Sequence, residues 1–154
     1  METPPPRKPV AALASAVQDL ADWSRPRDVD FVVAAEARGF ILGGALAQQL
    51  GVGFVPARKP GRLPAEVVTA GYILEYGIDA LEMHSDALAH GARVLIHDDL
   101  LATGGTARAL AELVLGLGGV VAGCAFIVEL AFLDGRRRLE GFDVHALVTY
   151  DSDG

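Results

Sequence analysis

Val94-Leu95-Ile96-His97-Asp98-Asp99-Leu100-Leu101-Ala102-Thr103-Gly104-Gly105-Thr106 passes from an apolar run of strand length, through two adjacent carboxylates, into a loop of hydroxyls and glycines. A buried strand that feeds such a loop and then a helix reads as one unit of an open α/β sheet, where ligands gather beyond the carboxyl ends of the strands. The strand is expected to end at His97, which sets Asp98 and Asp99 at the sheet edge. Glycines permit close backbone approach, hydroxyls donate hydrogen bonds, and a helix N-terminus favours an anion. Together these properties suit a phosphate monoester. The Gly-Lys-Ser/Thr ending of a Walker loop is absent, and Gly116-Leu117-Gly118-Gly119 follows a predicted helix rather than a strand. ATP hydrolysis and NAD chemistry therefore lack their usual signatures.

Working outward, Val10, Leu13, Ala14, Val17 and Ala21 repeat at helical spacing, and Trp23 and Pro26 close the predicted helix. Phe31-Val32-Val33-Ala34-Ala35 predicts a strand, Glu36-Ala37-Arg38-Gly39 a polar turn, and residues 40–50 a helix ended by Gly51-Val52-Gly53. A second short strand over residues 54–57 delivers the basic cluster Arg58, Lys59 and Arg62. Residues 61–84 differ from their surroundings, with Gly and Pro punctuation and partial alternation; they predict a flexible arm or hairpin of the kind that covers an active site. Leu110, Leu113, Val114 and Leu117 share one face of a predicted helix over 106–117. Strands over 120–128 and 144–149 follow, joined by a charged turn around 134–141. The whole chain, 1–154, is thus expected to form one α/β domain, an open and mainly parallel sheet flanked by helices, with residues 1–9 as an irregular lead-in.

Composition limits the partners. Although 51% of residues are hydrophobic, no apolar run approaches the ~20 residues that span a bilayer, so no membrane association is expected. The early prolines stand where a secretory signal would need a continuous apolar stretch, which points to the cytoplasm. A net charge of −7 opposes broad binding to nucleic acid. The lone Cys124 lies in an apolar run and reads as a small buried hydrophobe. Arg58, Lys59 and Arg62 form a candidate anion site within an acidic protein, whereas Arg136, Arg137 and Arg138 read as surface.

Residues 94–106 resemble the phosphoribosyl diphosphate signature of the type I phosphoribosyltransferases, and the likeness runs from about Phe31 to Tyr150. The resemblance implies that Asp98 and Asp99 hold the ribose 2- and 3-hydroxyls, and that Ala102, Thr103, Gly104, Gly105 and Thr106 enclose the 5-phosphate. Glu36-Ala37-Arg38-Gly39-Phe40 resembles the diphosphate loop of the family's adenine branch, which implies diphosphate contacts at Ala37, Arg38 and Gly39. Arg58-Lys59-Pro60-Gly61-Arg62-Leu63-Pro64 resembles that branch's basic segment. The physics agrees, since Arg38, Arg58, Lys59 and Arg62 could offset the charge that grows on a leaving diphosphate. Tyr72-Ile73-Leu74-Glu75-Tyr76-Gly77 resembles the mobile catalytic loop, making Glu75 the candidate to act on the purine and Tyr76 either a ligand contact or loop packing.

The implied reaction is displacement of diphosphate from phosphoribosyl diphosphate by adenine, giving AMP. Mg2+ would be bound mainly through substrate and water, without direct protein ligation, and the family habit implies a homodimer. Glu129-Leu130-Ala131-Phe132-Leu133-Asp134-Gly135-Arg136 also matches the family, with core and turn roles expected. Two departures stand out. His97 occupies a position that is usually apolar, and the family's Asp-Phe-Pro-x-Pro-Gly and Asp-Ile-Thr-Pro-Leu-Leu strings are not found, so the base-recognition half is expected to be reduced. Alternatives are a non-catalytic protein that binds phosphoribosyl diphosphate or a nucleotide, and transfer to another purine.

Overall fold

Three of the apolar runs named above form the middle of one sheet. In the computed structural model, which describes residues 9–74 and 77–152, β1 (Phe31–Ala35), β2 (Gly53–Ala57), β5 (Arg93–Leu101), β6 (Val120–Leu130) and β7 (Val144–Tyr150) build a five-stranded sheet in the order β2-β1-β5-β6-β7. Every pairing in it is parallel. Strands buried on both faces read as nearly continuous apolar runs, which is why these segments show little alternation.

Helices cover both faces. Helices α1 (Pro9–Ser24) and α2 (Gly39–Leu50) contribute Leu20, Ala21, Leu46 and Ala47 to a cluster with Val32, Leu95 and Ala125. On the other face α3 (Gly105–Gly116) packs Ala107, Leu110, Leu113 and Val114 on Val33, Val94, Ile96 and Phe126. The opposite assignments of Val94 and Leu95 follow from the two-residue period of a strand. Trp23 and Arg27 help anchor α1 beside β7: the Arg27 guanidinium lies 3.7 Å over the Trp23 ring, and His145 stacks on that ring at 5.2 Å. Pro9 lies inside α1 rather than in an irregular lead-in; proline is tolerated in a first turn because its missing N–H has no intrahelical partner there.

Residues 61–84 contain a hairpin, as expected. Strands β3 (Val67–Leu74) and β4 (Gly77–His84) pair antiparallel from Val67↔His84 to Leu74↔Gly77. Its base is docked on the core, because Ala70, Leu81 and Met83 are buried in the α3-side cluster with Val68 packed against them. The expected charged turn at 134–141 is built largely from short 3-10 helices, Ala131–Leu133 and Gly135–Leu139. Arg136 is more than a surface charge, since it donates to both carboxylate oxygens of Glu129, at 2.8 and 3.0 Å. Glu129 is 3% exposed and Arg136 half-exposed; the two-pronged, charge-assisted contact ties the 131–139 segment to β6. Cys124 is buried, and desolvation pushes its thiol up to about 12.

Candidate active site

The chain runs from β1 through α2 to β2 on one side, then returns to place β5 on the other side of β1. The crevice between the carboxyl ends of β1 and β5 is therefore a topological switch point, where open α/β sheets bind ligands. A cavity of about 210 Å³ opens there, with Glu36, Arg38, Lys59, Asp98, Asp99 and Thr106 among its lining residues.

Asp98 and Asp99 do not follow the strand, as the sequence suggested, but lie within it. Pairing of β5 with β1 stops at Ala34↔His97, whereas pairing with the longer β6 continues to Leu101↔Glu129. The two carboxylates thus sit on a stretch held by one neighbour and open to the crevice on the other. Asp98 Oδ1 accepts from the Asp99 backbone N–H at 2.8 Å. Burial, then the adjoining Asp99 carboxylate, pushes the Asp98 carboxyl up to about 7, against the lowering effects of the Asp99 N–H and, more weakly, Arg38. Gly39, the first residue of α2, suits this crowding: a Cβ there would stand 3.1 Å from Asp98 Oδ1 and press on the carboxylate.

The loop after β5 turns on Gly104, whose φ of 89° is in the left-handed region. Gly104 caps α3, and no side chain caps that helix's first turn. Uncapped N–H groups at a helix N-terminus are donors suited to an anion. Thr106 reaches the cavity, while Thr103 lines a separate cleft of about 460 Å³ with Leu133, Asp134, Arg137 and Arg138.

Arg38 and Lys59, which line the crevice, and Arg58 behind them are each matched by a carboxylate of the same chain. Arg38 Nε lies 3.2 Å from Asp99, Arg58 Nε 3.4 Å from Glu36, and Lys59 Nζ 3.9 Å from Asp79. Arg38 is 76% exposed on its side chain, and an ion pair so open to water is worth only about 0–1 kcal/mol. A polyanionic ligand can displace it at little cost. Arg62 does not line the cavity, although its N–H donates to the Lys59 carbonyl at 3.3 Å. Ala37 is exposed beside the cis Glu36–Ala37 peptide. Glu75 and Tyr76 lie outside the described residues. Glu36 was the residue missed by sequence reading: its Oε1 accepts the Lys59 backbone N–H at 2.6 Å, joining the two basic segments. Its place beside Ala37-Arg38-Gly39 was the available signal.

His97 is fully buried, and strand alternation places it with Leu95 on the face covered by α1 and α2. Nδ1 lies 2.9 Å from the Ala125 carbonyl and must donate to it, which leaves Nε2 as a buried lone pair without a partner among the described residues. Desolvation lowers the imidazole to about 4, outweighing the bond to Ala125 and the Asp99 charge. Between about pH 6.5 and pH 4 the unfolded chain binds a proton that the folded chain refuses, so this group costs stability as pH falls. His97→Val is expected to gain melting temperature relative to the parent as pH is lowered from 7 to 5; a difference independent of pH in differential scanning calorimetry would contradict the assignment.

The phosphoribosyl transferase domain family matches residues 8–146. An adenine phosphoribosyltransferase from Rubrobacter xylanophilus is 57% identical over 140 residues, covering 90% of this chain and 76% of that protein. The crystal structure of adenine phosphoribosyltransferase from Thermoanaerobacter pseudethanolicus superposes with a TM-score of 0.90 at 51% identity, covering 92% of this chain and 83% of the other. The Saccharomyces cerevisiae enzyme, crystallised with an imino-altritol bisphosphate and adenine, gives 0.83 at 40% identity over 92% of this chain and 81% of its own. With the carboxylate pair, glycine loop and cationic rim gathered at one switch point, and with these relatives covering most of its length, the chain belongs to the adenine phosphoribosyltransferase family.

Proposed function

We propose that the protein transfers the 5-phosphoribosyl group of phosphoribosyl diphosphate to adenine, forming AMP and diphosphate in purine salvage. The carrying observation is the single cavity in which Asp98 and Asp99, Thr106 at the start of α3, and the cations Arg38 and Lys59 converge. Its chemistry follows the parts of one substrate. The carboxylates accept from the ribose 2- and 3-hydroxyls. Residues 102–106, with the uncapped first turn of α3, offer N–H and hydroxyl donors to the 5-phosphate. Arg38 and Lys59, backed by Ala37, Gly39, Arg58 and Arg62, face the diphosphate and stabilise the charge it gains as the bond to the anomeric carbon breaks. Adenine N9 forms the new bond, and its proton passes to a base. Glu75 is assigned that role or a hydrogen bond to the purine, with Tyr76 as a neighbouring contact.

Mg2+ suits this donor set as a substrate-borne ion. No group of three or more His, Cys, Asp or Glu able to hold a metal exists among the described residues, and a hard cation that keeps its waters and binds phosphates needs no such group. When bound it would neutralise part of the diphosphate charge. The same reading has the protein work in the cytoplasm as a homodimer, in keeping with family habit; none of the described helices is long and apolar enough to cross a membrane.

Mixing the protein with phosphoribosyl diphosphate and Mg2+, then adding adenine, guanine or hypoxanthine separately, should release diphosphate with adenine alone. Glu75→Ala should lower kcat by roughly a hundredfold, the usual scale for a general acid or base, while leaving phosphoribosyl diphosphate binding intact. Tight binding without turnover on any base would instead favour a non-catalytic nucleotide-binding protein.

A further inference from the structure

Glu82 does not line the cavity, yet it holds the basic segment through both its backbone and its side chain. The Arg58 N–H donates to the Glu82 carbonyl at 2.9 Å, and the Glu82 N–H donates to the Arg58 carbonyl at 2.7 Å. The carboxylate is divided between two further partners. Oε1 accepts from the Gly61 N–H at 2.9 Å, and Oε2 accepts from the Thr69 hydroxyl at 3.0 Å, directly across the hairpin in the pair Thr69↔Glu82. Glu36 grips the same segment from the β1 side, through the Lys59 N–H. Residues 58–61 are thus tied by two carboxylates, one in the turn after β1 and one on the hairpin whose strands flank Glu75 and Tyr76 in the sequence.

Two anionic side chains beside a site for diphosphate would be expected to repel it. Here the Glu82 oxygens are engaged by donors from Gly61 and Thr69, so the carboxylate has an organising task. We infer that Glu82 is a positioning residue that clasps the hairpin to residues 58–61, so that diphosphate binding and placement of the hairpin form one event. This rests on the reading of Arg58 and Lys59 as diphosphate ligands. Gly61 and Thr69 are both exposed, so their freed donors return to water when the carboxylate is removed. The backbone bridge to Arg58 does not require the side chain. Loss of the clasp therefore disturbs geometry more than stability.

Glu82→Ala and Glu82→Gln test this in the full chain. Glu82→Ala should raise the KM for phosphoribosyl diphosphate about tenfold, the scale of one hydrogen bond to a charged group, while the KM for adenine stays within about twofold. Glu82→Gln should recover most of the loss, because its carbonyl can accept from Gly61 and its amide can donate to Thr69. Amide hydrogen exchange supplies a readout independent of turnover. In the parent protein, phosphoribosyl diphosphate with Mg2+ should slow exchange in residues 58–63 and in both hairpin strands; in Glu82→Ala, protection should persist in 58–63 but be lost from the hairpin. Equal rises in both KM values with a lowered melting temperature, or hairpin protection retained in Glu82→Ala, would overturn the clasp. If the parent shows no protection of 58–63, the diphosphate assignment itself fails, and with it the proposed coupling. Protection without turnover on any base would sink the transferase reading and leave the clasp standing.

Discussion

Asp98→Asn combined with Asp99→Asn is expected to weaken phosphoribosyl diphosphate binding by about a hundredfold or more, given that a hydrogen bond to a charged group contributes roughly 1.5–3 kcal/mol and two carboxylates are neutralised. Titration calorimetry with Mg2+ present reads this directly, and unchanged affinity would remove the ribose assignment. The single variant Asp98→Asn carries a second, opposite signature. Burial and the neighbouring Asp99 hold the Asp98 carboxyl up to about 7. Between about pH 4 and pH 7 the unfolded chain has released this proton while the folded chain keeps it, so the contribution of Asp98 to stability falls as pH rises through that window. Asparagine removes the titration. The melting temperature of Asp98→Asn relative to the parent should therefore climb from pH 5 to pH 8 even as ligand affinity drops. Donation from ribose hydroxyls favours the ionised carboxylate, so parent affinity for phosphoribosyl diphosphate should strengthen as pH rises through about 7. A site that loses stability in the absence of ligand to keep two carboxylates together is set up for binding rather than for folding.

Gly104→Ala is the other change expected to have a large effect. Gly104 has a φ of 89°, a region that costs a residue with a Cβ roughly 1–2 kcal/mol. The added methyl would also stand 2.6 Å from the Gly135 carbonyl oxygen and 3.2 Å from Arg138 Cβ. The carbonyl belongs to backbone, and its segment is pinned through the Glu129–Arg136 pair, so the glycine loop must give way. Movement of about 1 Å in a positioning loop costs on the order of a hundredfold in rate. The expected result is a fall in kcat/KM for phosphoribosyl diphosphate of at least that size, with a lowered melting temperature. Gly135→Ala separates geometry from direct contact. Its methyl would meet the Ala102 carbonyl oxygen at 2.5 Å, pressing the same loop from behind without touching the ligand cavity. It should reproduce most of the Gly104→Ala loss; near-parent activity would mean that the loop is not braced by the 131–139 segment.

The likeness of these two glycines marks a boundary of sequence reading. Gly104 sits in a loop whose composition announces a phosphate site, and its importance was legible. Gly135 sits in a charged turn, where a glycine suits any bend. Its close approach to Ala102 is a property of two segments meeting across a distance in the chain. Glu82 poses the same difficulty, since alternation in a hairpin places a carboxylate outward and gives no sign of the Gly61 N–H that it meets.

The parallel α/β class, the sheet strands to within a few residues, and the gathering of carboxylates, glycines and cations at strand ends are all legible in the amino-acid order. Each of these depends on local period and residue type, which act over a few residues. That Asp98 and Asp99 lie inside a strand is a consequence of long-range pairing, because the end of β5 is set by the greater length of β6. The same folding matches Arg38, Arg58 and Lys59 to Asp99, Glu36 and Asp79, and leaves Arg58 and Arg62 out of the cavity lining. Charge pairing depends on separation in space, and residues 36, 58 and 82 become neighbours only when the switch between β1 and β5 folds the chain back on itself.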